Sequence, residues 1–326
     1  PTADDVIGQV NFTEYSANRG AIWPVIGTEA SPTVSFALPG AAVYYSNEVF
    51  LADTGNNRVI VLSDPATTAG SAMYGKRVLG QPFLDANGAN RVEERGFFFG
   101  LYAAGLAIDA RSNPPRLYVA DTINNRVLGF RDARTAKLGQ PADIVLGQES
   151  FYRSVANWGP SNPGQPNAYG LNLPQGLAVD SEGNLWVADS GNGRVLRFPV
   201  PFSHGSSAPA DLVLGKPDFT TTRGSRPDPT DENFSYPVGL AFTTGGHLVV
   251  SDAAFNRVLL FFKPAGGYQT HQRADRVYGQ TGFYERTAAA SDSDRLHFNS
   301  PLHIAVDQGD RLFICDFGMN RVLIID

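Results

Sequence analysis

Five aspartates in this 326-residue chain each stand five residues ahead of an arginine: Asp53 and Arg58, Asp121 and Arg126, Asp189 and Arg194, Asp252 and Arg257, Asp316 and Arg321. A carboxylate and a guanidinium at that distance can serve catalysis or can staple a turn, because the planar fork of arginine suits carboxylates and carbonyls. Repetition decides between the two. A catalytic residue is rarely needed five times, whereas a staple is needed in every structural unit. The ten residues are therefore read as structural pairs, the Asp capping turn amides and the Arg reaching a carboxylate or carbonyl of its own or the next unit.

The other chemistry-bearing residues are scattered. The five histidines are His204, His247, His271, His297 and His303, and Cys315 is the one cysteine. A bound metal needs several such ligands converging from separate elements, and no spacing here marks a set. No phosphate loop, nucleophile elbow or CxxC is present. A single cysteine forms no internal disulfide, and inside an apolar phrase it reads as a small buried residue.

The elements that carry the pairs recur as well. LADTGNNRVIVL (51–62) returns as YVADTINNRVLGF (118–130), WVADSGNGRVLRF (186–198), VVSDAAFNRVLLF (249–261) and FICDFGMNRVLII (313–325), with the aspartates 68, 68, 63 and 64 residues apart. About ten residues upstream lie GAAVY (40–44), GLAID (105–109), GLAVD (176–180), GLAFT (239–243) and HIAVD (303–307). A further phrase reads VIGQ (6–9), VLGQ (78–81), VLGQ (145–148), VLGK (213–216) and VYGQ (277–280). Each is short, β-branched or aromatic, and bounded by Gly, Pro, Asn or Asp, which is strand and turn chemistry. Every repeat thus holds four strands, a to d, over approximately 6–62, 77–130, 144–198, 212–262 and 276–326.

A four-stranded unit cannot bury both faces alone, so the repeats are expected to stack around one axis. The prediction is an all-β, single-domain β-propeller spanning 1–326, with five four-stranded blades; a six-bladed ring with one lost or degenerate blade is the alternative. The chain begins on strand d and ends on strand c, so the N-terminal Val6–Gln9 is expected to pair with the C-terminal a, b and c strands and close the ring.

The phrases Pro174–Asp180 with Asp189–Val195, and Asp121–Val127, resemble the NHL repeat, and the resemblance extends five times over essentially the whole chain. It implies a β-propeller, for which six blades are familiar. Some NHL domains bind RNA through a basic face. Amidating lyases and sugar lactonases use similar rings with a metal in the central channel. The fourth copy departs from the pattern, with Phe242-Thr243 for Val-Asp and Ser251 before the Asp.

The repeat exceeds a minimal blade by an insertion between strands d and a, at roughly 11–37, 82–102, 149–173, 217–236 and 281–301. These loops and the b–c turns should leave the same end of the ring, forming a crown where binding is expected. Recurring apolar residues anchor the loop ends: Phe12, Leu84, Phe151, Phe219 and Phe283 after strand d, and Phe36, Phe99, Leu171, Phe234 and Phe298 before strand a. Trp23, Phe98, Tyr152, Trp158 and Tyr169 do not recur, and several arginines lie among them, which is the composition of a recognition surface. His297 and His303 join them as candidate binding residues, His303 because it replaces the glycine that opens strand a elsewhere.

Charge narrows the partners. With 26 basic and 32 acidic residues the chain carries −6, and the five insertions taken together are acidic. That opposes phosphate, so no nucleic acid is expected. No apolar run approaches a membrane span. The expected function is non-catalytic binding or scaffolding of a protein partner or subunit assembly. The alternatives are a metal-dependent lyase or lactonase acting in the channel, and a carbohydrate binder using Trp23 and Trp158. No cofactor is expected, apart from a structural calcium or channel metal that no spacing supports. A chain starting on Pro reads as processed or trimmed, which favours a secreted or periplasmic protein whose targeting segment is out of view.

Overall fold

The computed structural model describes residues 16–17, 35–64, 75–83, 86–89, 92–224, 227–291 and 293–326. Their apolar phrases form five antiparallel sheets. Blade one holds β1 (Pro39–Tyr45), β2 (Glu48–Asp53), β3 (Arg58–Leu62) and β4 (Gly75–Leu79). Blade two holds β5 (Leu106–Asp109), β6 (Arg116–Asp121), β7 (Arg126–Phe130) and β8 (Ile144–Leu146). Blade three holds β9 (Pro174–Val179), β10 (Leu185–Asp189), β11 (Arg194–Phe198) and β12 (Leu212–Leu214). Blade four holds β13 (Pro237–Phe242), β14 (Leu248–Asp252), β15 (Arg257–Phe261) and β16 (Arg276–Tyr278), and blade five holds β17 (Pro301–Val306), β18 (Leu312–Asp316) and β19 (Arg321–Ile325). The protein is an all-β, five-bladed propeller. The expected closure by Val6–Gln9 lies outside the described residues.

Alternation along each strand gives every blade two apolar faces, and successive blades bury them against each other. Phe50, Ala52, Val59 and Val61 of blade one pack on Leu106, Leu117, Val119 and Leu128 of blade two. Equivalent clusters join blades two and three, three and four, and four and five. Each fully buried Val, Leu or Phe contributes about 1.5–3 kcal/mol, so these seams are the main cohesion of the ring.

The innermost strands approach closely enough that glycine is required. A Cβ on Gly105 would run into the carbonyl oxygen of Gln175, one on Gly176 into that of Val238, and one on Gly239 into that of Leu302. Blade five has His303 at this position. No following sheet among the described residues presses on it. The face that is buried in the other blades is correspondingly open here: Val322 and Ile324 are 61% and 55% exposed, whereas their counterparts Val59 and Val61 are fully buried. This corrects the expectation for Cys315, which is half-buried rather than buried.

Candidate functional site

The five Asp–Arg pairs flank a single 3-10 turn, followed by a left-handed residue at Asn57, Asn125, Gly193, Asn256 or Asn320. Four pairs are fully buried, with Nε to carboxylate distances of 2.7, 2.6, 2.7 and 3.5 Å in blades one to four. The Asp does not cap the turn amides. It accepts instead the N–H of the residue entering strand a: Ala37, Phe98, Asn172, Tyr236 or Asn299. The turn closes on its own backbone carbonyl, which leaves the carboxylate for the incoming loop. In blades one to three an Asn three residues on donates to the same carboxylate. Blades four and five have Phe255 and Met319 there, whose side chains carry no N–H to donate. Burial pushes the Asp53 and Asp121 carboxyls up, and the adjacent guanidinium and the donated N–H groups oppose it.

The Arg grips two loops at once. Arg194 donates to the carbonyl of Phe219 at the start of the next insertion, and to those of Asn167 and Gly170 at the end of its own. Arg126 does the same with Phe151, Glu93 and Gly96, and Arg257 with Phe283 and Asn233. The pair is the device that holds the crown loops on the blades.

The insertions are not confined to the crown. Glu94, Ala168 and Asp231 each accept, at 2.8 Å, the N–H of a residue just ahead of an outer strand: Ala142, Ala210 and Ala274. Each loop thus runs down the outer flank of the blade it enters. This is why His271, in the connection from β15 to β16, stands 3.8 Å from Glu232 of an insertion.

The predicted binding residues disperse over this surface. Tyr152 is 68% exposed, with its hydroxyl on Glu94. Phe98 is half-buried and fixed by its backbone on Asp121. Trp158 meets Tyr169 edge to face at 6.1 Å, and both are half-buried beside a groove of about 350 Å³ walled by Asn162, Gln165 and Tyr169. Trp23 lies outside the described residues. His297 is held by Asp294 at 3.0 Å, within the loop. Asn233 accepts the N–H of Thr230 and donates to the carbonyl of Asp228.

His303 lies elsewhere, on the wall of the central channel. There a cavity of about 660 Å³ is lined by Gly, Ala, Val, Leu and Ile of the inner strands and extends to Phe313, Cys315 and Val322. Its Nε2 is buried without a partner, and burial pulls the imidazole down to about 4. Among the described residues no three His, Cys, Asp or Glu side chains converge, so the residues present do not fit a metal held by several protein ligands.

Sequence reasoning did not single out Lys216, although the signal was present as VLGK in a series of VLGQ. Gln81, Gln148 and Gln280 are buried and tie the preceding turn to the loop: Gln148, for instance, donates to the carbonyls of Asn125 and Val155. Lys216 is buried in the same place, and burial lowers its ammonium to about 8.

A ring of repeated Asp–Arg-stapled blades defines a β-propeller of the loop-crowned kind. The NHL repeat matches residues 171–198, which hold β9, β10 and β11 of blade three, and the same three-stranded unit recurs in all five blades. The chain is a five-bladed β-propeller that contains an NHL repeat. It is 29% identical over 94 residues to peptidyl-alpha-hydroxyglycine alpha-amidating lyase 2 of Drosophila melanogaster, a match covering 29% of this chain and about a fifth, 20%, of that protein. Among solved structures it is similar to a protein of unknown function from Bacteroides thetaiotaomicron, with a TM-score of 0.52 at 15% identity. An auxiliary nutrient binding protein from the same organism gives a TM-score of 0.52 at 10% identity. Each likeness covers 90% of this chain and 60% of the other, and shows the fold alone.

Proposed function

We propose that the protein is a binding or scaffolding propeller that engages a protein partner through its crown. One observation carries this reading. Of the eleven large apolar side chains exposed among the described residues, Leu38, Phe83, Leu101, Tyr152, Val155, Tyr284 and Leu296 lie in d-to-a connections and Phe317 in a b–c turn. Exposed apolar groups concentrated in the loops that a rigid scaffold carries are what a protein interface requires. The test is a photo-crosslinkable residue at Tyr284, 70% exposed on an insertion, against one at Tyr44, 56% exposed at the a–b end of β1. A discrete adduct from position 284 alone, in extract of the source cells, supports the reading; equal adducts or none from 284 overturn it.

A second reading, chemistry on a small molecule in the channel, is favoured by His303, whose unpartnered Nε2 stands in an otherwise apolar wall. The likeness to an amidating lyase brings a metal-assisted version of it. Elemental mass spectrometry of the purified protein tests that version. Stoichiometric zinc or calcium, lost in His303→Gly, would support it, and a metal-free protein would remove it.

A further inference from the structure

We propose that Lys216 and Arg223, at the junction of blades three and four, form a binding site for a single carboxylate group. Three departures from the repeat coincide there. Lys216 replaces the glutamine of three sister blades, Gly193 replaces the left-handed asparagine, and Arg223 stands seven residues beyond Lys216. In the sister loops the residue seven positions on, Gly88, Val155 or Thr287, gives its carbonyl to the glutamine. In blade three a cation stands at each end of that former bond.

Arg223 fills the space the missing asparagine leaves. Its Cδ lies 2.8 Å from where a Cβ on Gly193 would stand, and its Nη1 donates to the carbonyl of Ser235 at 2.7 Å. That bond takes the place of the one by which asparagine holds the next inner strand in other blades, and among the described residues it leaves most of the guanidinium's donors uncommitted.

Lys216 is only 6% exposed, and its ammonium, which still reaches solvent, has no hydrogen-bond acceptor and no ion pair among the described residues. Every nearby candidate is already engaged. Asp218 accepts from the N–H and O–H groups of Thr220 and Thr221, at 2.8 to 3.0 Å. Asp252, whose charge acts on Lys216, faces Arg257 at 3.5 Å and accepts the N–H groups of Ser235 and Tyr236. Asp231 and Glu232 face Arg273, and Glu232 also faces His271. Arg194, the remaining charge near Lys216, is fully used by Asp189 and loop carbonyls, so it adds positive potential without competing for an anion. A cation at the end of a largely buried side chain with no counter-ion carries a desolvation cost, and an incoming anion reduces it. The surrounding insertion, 217–236, carries two more acidic than basic residues, so the site favours one monovalent carboxylate over a phosphate polyanion.

The experiment is competitive amine labelling of the full chain near pH 8, with an uncharged acylating ester and readout by peptide mass spectrometry. Lys137 is exposed and serves as the reference; Lys76 and Lys263 are ion-paired with Glu48 and Glu182. Acetate and glutarate at tens of millimolar should slow acylation of Lys216 several-fold relative to Lys137, while chloride at matched ionic strength should not. A glutamate-containing peptide that protects better than glutarate identifies the source as a polypeptide side chain; the reverse identifies a small carboxylic acid. A second measurement covers the case in which Lys216 labels too slowly to follow. Carboxylates should raise the melting temperature of the wild type above that in chloride, and should fail to do so in Lys216→Gln, which restores the sister residue. Equal protection by chloride, better protection by inorganic phosphate, or identical carboxylate responses in wild type and Lys216→Gln would each overturn the proposal.

Discussion

Asn125, in the b–c turn of blade two, accepts through its side-chain oxygen the backbone N–H of Leu173 in blade three, at 2.9 Å. Its amide nitrogen donates to the carbonyl of Ser154 in the intervening insertion, at 3.0 Å. Asn57 makes the equivalent pair with Phe99 and Asn87, and Asn256 with Ser300 and Arg286. One side chain thus ties a turn, a crown loop and the next inner strand. It can do so because its backbone is left-handed, with φ of 52° at Asn125. Asn125→Gly keeps that backbone and removes both bonds, so it should cost about 1–2 kcal/mol, while Asn125→Ala should cost about 1 kcal/mol more through left-handed strain. Urea unfolding midpoints of the two variants check this; equal midpoints would mean the inter-blade bonds contribute nothing net.

The blades themselves were legible in the sequence because their residues repeat: the Asp–Arg spacing, the apolar phrases and the loop anchors Phe99, Leu171, Phe234 and Phe298 report the same environment many times over. What could not be read was where the partners of those residues lie. The Asp was expected to cap its own turn, yet it holds the N–H of a residue 16 to 23 positions upstream, and nothing in a local window encodes that pairing. Lys216 was hidden for the opposite reason. A single residue breaking a repeat carries no pattern of its own, and its meaning emerges only when Gly193 and Arg223 are found beside it.

Breaking a staple should be severe. Arg126 is fully buried, and Arg126→Met would leave the Asp121 carboxylate without its cation and three carbonyls without their donor. Removing one partner of a buried pair costs about 3–5 kcal/mol. Adding Asp121→Asn to Arg126→Met should recover part of that loss, since the amide no longer buries a charge. Thermal and chemical denaturation of the single and double variants measure it, and an unchanged melting temperature for Arg126→Met would show that the staple does not hold this fold.

The inner glycines make a sharper test of blade packing. Gly176→Ala places a methyl group against the carbonyl oxygen of Val238 on the next inner strand, where only a backbone shift makes room. The expected cost is about 1–3 kcal/mol, the usual range for overpacking a close interface. His303 already carries a side chain at the corresponding position of blade five, so His303→Gly should show no comparable penalty. Equal and small effects at both positions would mean the inner strands can slide apart without cost.

His303 should also leave a mark on the acid side of the stability curve. Burial, with no partner on Nε2, lowers its imidazole from the ordinary value of about 6.5 to about 4. Between those two pH values the unfolded chain binds a proton that the folded chain refuses, so stability rises with pH across the window and is lost as pH falls through it. The stabilisation is complete above about 6.5 and absent below about 4. Carboxylates titrate in the same region, but they do so alike in the wild type and in His303→Gly, so the difference between the two isolates the imidazole. Urea midpoints followed downward from neutral pH should fall more steeply in the wild type than in the variant. Parallel curves would mean that the imidazole takes up its proton inside the folded ring, and that water reaches Nε2 through the open face of blade five.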